Sequence, residues 1–164
     1  MSGSPRSRST RSSLGTDAAR QPKAPLASPD DIEHQFYDAL LHADIDRLMA
    51  CWADDEEALC VLPGGPRLVG AGAIRSAFEA VFAHGAVNAQ PQKVRRLQTQ
   101  GCAVHSVVVQ IQVMTSEGAQ SAWVVATNVF VMTAHGWRLV AHHASPGTPD
   151  EVHETIDGAA SVLH

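Results

Sequence analysis

Two adjacent histidines, His142 and His143, close a β-branched, aromatic run beginning at Trp137, and they are the residues of this chain best suited to proton transfer or metal binding. Neighbours on a strand point to opposite faces, so without a bulge the pair cannot share one ion. No other His, Cys or acid lies near them at metal-ligand spacing, and no metal is expected. His143 shares parity with Trp137, Leu139 and Ala141 and is the one expected to face inward, as a satisfied buried histidine or as a base. The acids Asp54, Asp55, Glu56 and Glu57 follow a helical pattern and read as a solvated loop rather than a catalytic carboxylate pair. Arg75 suits a surface pair with Glu79 at i+4. Cys51, Cys60 and Cys102 are odd in number and lack CxxC spacing, which fits buried thiols in a reducing, cytoplasmic setting.

Helices come first in the chain and long strands last. Ser28-Pro29-Asp30-Asp31 combines an N-cap residue, a proline suited to the first helical position and two acids at the positive helix end. Ile32, Phe36, Ala39, Leu40 and Ala43 then repeat at helical spacing. Asp44 can cap a short second helix carrying Ile45, Leu48, Met49 and Trp52. A strand over 58–62 ends at Pro63-Gly64-Gly65-Pro66, and 70–83 reads as a third helix with Ile74, Phe78 and Phe82 inward. Strands are expected over 87–98, 102–114, 119–133 and 137–143, the last two forming a hairpin around Ala134-His135-Gly136, with Pro146 as the stop. Val107, Val109, Ile111 and Val113 share one face of their strand.

Residues 1–27 hold five bases against Asp17, a formal +4 that leaves −9 on the rest of a chain whose total is −5. That segment, rich in Ser and Arg and poor in large apolar residues, is expected to be a disordered tail. Residues 28–146 read as one domain and 147–164 as a C-terminal extension. An acidic domain without basic stripes argues against nucleic acid, and no apolar run approaches membrane-spanning length.

The element order, Trp52-Ala53-Asp54-Asp55, the Gly70-Ala71-Gly72-Ala73-Ile74-Arg75 helix start and the Gly136-to-His143 ending resemble the NTF2-like superfamily, in its SnoaL-like and ketosteroid-isomerase-like branch. The final hairpin is also similar to the association domain of calmodulin-dependent kinase II. The resemblance implies an α+β cone, three N-terminal helices packed on a curved antiparallel β-sheet, with a conical pocket and a homodimer. Residue by residue it places the isomerases' oxyanion-hole tyrosine at Tyr37 and their second donor at Asn128, while Leu62 replaces the proton-shuttling aspartate. Leucine accepts no proton, so steroid isomerisation is not expected. The expected pocket is lined by Trp52, Leu62, Trp123 and Phe130 and takes a small, mostly apolar molecule without a cofactor. If proton transfer occurs there, His143 is the expected base, with Tyr37 and Asn128 stabilising an enolate oxygen; the alternative is a non-catalytic homo-oligomerisation module with a vestigial pocket.

Overall fold

The computed structural model describes residues 27–148 and 153–157, so nearly all of the expected tail and much of the C-terminal extension lie outside the described residues. Ser28 starts helix α1 (Pro29–His42) through a capping box: its hydroxyl accepts from the Asp31 N–H at 3.1 Å, and the Asp31 carboxylate accepts from the Ser28 N–H at 3.0 Å. The helix buries Ile32, Phe36, Ala39 and Leu40, as its spacing predicts, and Glu33 and Tyr37 with them. Asp44 caps the short α2 (Ile45–Met49) by accepting from the Arg47 N–H. Strands β1 (Leu59–Val61) and β2 (Arg67–Val69) flank the Pro63–Pro66 turn, and α3 (Ala71–Phe82) follows. The four long strands are β3 (Asn88–Gln98), β4 (Cys102–Thr115), β5 (Gly118–Thr133) and β6 (Gly136–Pro146).

Together the strands form one curved six-stranded sheet in the order β2-β1-β6-β5-β4-β3, antiparallel at every junction except β1 with β6. The expected α+β cone is therefore observed. Phe36 is its packing centre, meeting Tyr37, Trp52 and Phe78 edge to face at centroid distances of 5.1, 6.5 and 6.0 Å. Cys51 and Cys60 are buried, which pushes both thiols up to about 12, so they act as small apolar groups.

Two departures from the sequence reading matter. The short β2 was not anticipated, because three residues between Pro66 and Gly70 are too few to display alternation. In β6, Val129 pairs with Ala141 but Phe130 pairs with Leu139, leaving Val140 as an extra residue. This bulge reverses the side-chain parity beyond it. Leu139, His142 and Ala144 are buried, and His143 is exposed.

Candidate functional site

The bulge brings three polar side chains into line across the concave face. In the register of β4, β5 and β6, His105 stands opposite Asn128 and Asn128 opposite His142. All three are buried, at 1%, 1% and 6% exposure. Helix α1 lies over this row and contributes Glu33 and Tyr37, one turn apart on one face, both also buried.

Asn128 is the hub. Its Nδ2 donates to Glu33 Oε2 at 2.9 Å and to Tyr37 Oη at 3.2 Å, and its Oδ1 lies 2.5 Å from His142 Nδ1. Because the amide oxygen can only accept, His142 Nδ1 carries the hydrogen and Nε2 keeps the lone pair. Burial, reinforced by the neighbouring His143, pulls the His142 pKa down to about 4, so the ring is neutral at pH 7. Burial also raises the Tyr37 hydroxyl, opposed by the Asn128 hydrogen bond and assisted by the Glu33 charge.

On the far side of the row, His105 Nδ1 lies 3.0 Å from Glu33 Oε1 but has no aligned hydrogen-bond partner, so the contact is a close electrostatic approach rather than a satisfied hydrogen bond. His105 Nε2 is 3.9 Å from Asp30 Oδ1, which accepts from Arg96 Nε at 2.7 Å. Asp30, Glu33 and His105 offer one ligand atom each within 4.8 Å of one another. Arg96 and Asn128 already occupy the two carboxylates, however, and the guanidinium opposes a second cation.

Two cavities flank Tyr37, which together with Ala89 stands in the walls of both. One, of about 280 Å³, is mixed, with Asp30, Glu33, His34, Asp38 and Arg96 alongside Leu41, Pro91 and Val94. The other, of about 210 Å³, is apolar and lined by Phe36, Leu40, Leu62, Phe78, Ala126 and His142 among others.

Several expected assignments change. His143 is solvent-exposed and cannot serve as a base in the cavity; the β6 bulge turns His142 inward instead. Both Asn128 amide hydrogens are engaged within the protein, which leaves Tyr37 as the one expected oxyanion donor with a hydrogen to offer. Leu62 lines the apolar cavity, but Trp52, Trp123 and Phe130 do not. Trp52 packs beside Phe36 and borders two other surface grooves. Trp123 has the opposite parity to Asn128 on β5 and meets His153 at 4.5 Å on the outer side. Phe130 is fully buried against His105, with ring centroids 4.9 Å apart. Glu33 and His105 were missed. His105 lies two residues before Val107 on the inward face of β4, and Glu33 is four residues before Tyr37, so extending either period by one step reaches them.

A sequence model of the SnoaL-like domain family matches residues 31–149. Comparison with curated proteins gives no match. A Thiobacillus denitrificans structure provisionally named a calcium/calmodulin-dependent protein kinase type II association domain is 28% identical, with a TM-score of 0.68 over 77% of this chain and 100% of that one. A structure from Streptomyces avermitilis, provisionally named a dehydratase of the NTF2-like family, is 27% identical, with a TM-score of 0.63 over 71% and 92%. A ketosteroid isomerase-like protein from Erwinia carotovora atroseptica is similar in fold, at 17% identity and a TM-score of 0.60 over 73% and 94%.

Proposed function

The chain belongs to the SnoaL-like domain family, and from that premise we propose that it binds a small, mostly apolar molecule in the cavity between α1, α3 and the sheet. The observation that supports this is the cavity itself, a partly open cleft of about 210 Å³ walled by Phe36, Phe78 and Ala126. An apolar void with few polar groups around it is the usual form of a ligand site. His142 is the proton acceptor for any cofactor-free chemistry there, in place of His143. A base that is neutral at pH 7 and has a conjugate acid with a pKa of about 4 is weak, so slow isomerase- or cyclase-type proton transfer is the most this arrangement supports. Leu62 in the cavity wall remains an argument against steroid isomerisation.

Native mass spectrometry of protein purified from its own source tests the reading. A stoichiometric small-molecule adduct, or a melting shift with one-ring aromatic compounds, is the expected result. No adduct and no shift would overturn it.

A second reading, homo-oligomeric assembly, is favoured by exposed Leu97, Val113 and Met114 toward the ends of β3 and β4, at 70%, 41% and 79% exposure. Likeness to a provisionally named association domain points the same way. An empty oligomer in the same spectra would select it. Among the described residues no helix is long and apolar enough to cross a membrane.

A further inference from the structure

The polar row decides which hydrogen-bonding partner the apolar cavity can satisfy. Glu33 Oε2 holds the Asn128 Nδ2 at 2.9 Å. Reversing that amide would set its oxygen against the carboxylate oxygen, two acceptors facing each other. With the amide so held, Oδ1 is presented to His142, Nδ1 must donate, and Nε2 is the nitrogen left to meet anything else. We propose that Glu33 is a positioning residue acting through Asn128 to hold His142 as a hydrogen-bond acceptor, so that the cavity selects a neutral one-ring molecule bearing an O–H or N–H, such as a phenol. This rests on the ligand-binding reading above.

Size and charge narrow the class. About 210 Å³ compares with the roughly 150 Å³ of a dry apolar cavity that takes benzene. One ring with a short substituent fits within it. No Lys or Arg lines the cavity, so an anionic ligand would lose its hydration without gaining a counter-charge. Tyr37 Oη accepts from Asn128 and keeps one hydrogen to give, which suits a hydroxyl able both to donate and to accept. An acceptor-only ligand such as an aldehyde leaves the His142 lone pair unmatched in an apolar setting.

The tautomer is read directly by ¹⁵N NMR of His142 in the ligand-free protein. Nδ1–H is expected in the wild type, a mixture in Glu33→Met, and Nδ1–H again in Glu33→Gln, whose amide oxygen can still accept from Asn128. Calorimetry with p-cresol, benzaldehyde and benzoate should give p-cresol roughly tenfold tighter binding than benzaldehyde, and no binding of benzoate. An Nε2–H ring in the wild type, or benzaldehyde binding as tightly as p-cresol, overturns the inference whether or not Glu33→Met folds. If none of the three probes binds while His142 is Nδ1–H, the ligand class falls together with the ligand-binding reading, and only the positioning role of Glu33 stands.

Discussion

The interior on one side of Tyr37 is polar and almost fully paired, whereas the interior on the other is apolar and under-filled. On the polar side, Glu33, Asn128 and His142 come from three elements and occupy one another's hydrogen-bonding capacity, with His105 Nδ1 3.0 Å from Glu33 but unbonded. On the apolar side, the helices and sheet fail to close over about 210 Å³. The contrast teaches that the paired polar row and the apolar cavity are distinct features that meet at Tyr37 and His142. The network sets geometry and the void supplies space, with His142 belonging to both.

Four measurements test how far the two sides differ. The largest effect is expected from Asn128→Leu, which strands Glu33 Oε2 and His142 Nδ1; two unsatisfied buried groups should cost about 4 kcal/mol in urea unfolding. Next comes acid sensitivity. The folded pKa of His142, about 4, lies below its ordinary 6.5, so below pH 6.5 the unfolded chain takes up a proton that the folded ring refuses. Stability should therefore fall by roughly 3 kcal/mol as pH drops from 6.5 to 4 and level off below that, a dependence that His142→Gln removes. Third, Ala126→Leu should fill the apolar cavity, raising stability by about 1 kcal/mol while abolishing ligand-induced melting shifts. If it instead destabilises the protein and leaves ligand shifts intact, the void is not the site. Last, Arg75→Ala removes exposed pairs with Asp46 and Glu79 and should leave the unfolding midpoint unchanged, marking the surface as neutral.

Local periodicity made most of the elements legible. The α1 spacing and the long strands were readable because each displays its repeat over many residues, and the capping box at Ser28 marks the helix start explicitly. The β6 bulge was not readable. Leu139, Val140 and Ala141 are all apolar, so either parity presents an acceptable inner face, and unbroken alternation chose His143 where the structure chose His142. Trp123 was misplaced for a related reason: a tryptophan within a β-branched strand packs equally well on an outer face, here against His153. Glu33 was hidden because a carboxylate on a helix is ordinarily solvated, and only a partner 95 residues away makes its burial tolerable.

The order and type of the elements, and most of the apolar faces that join them, follow from the amino-acid sequence alone. The tertiary structure alone decided which histidine faces inward, that Asn128 is spent on the protein rather than offered to a ligand, and where the void lies. The reason is one of range. Helix and strand periodicity is set by neighbours within one or two turns of chain, whereas a bulge, the pairing of a buried polar group and the space left beside it exist only after distant segments have met.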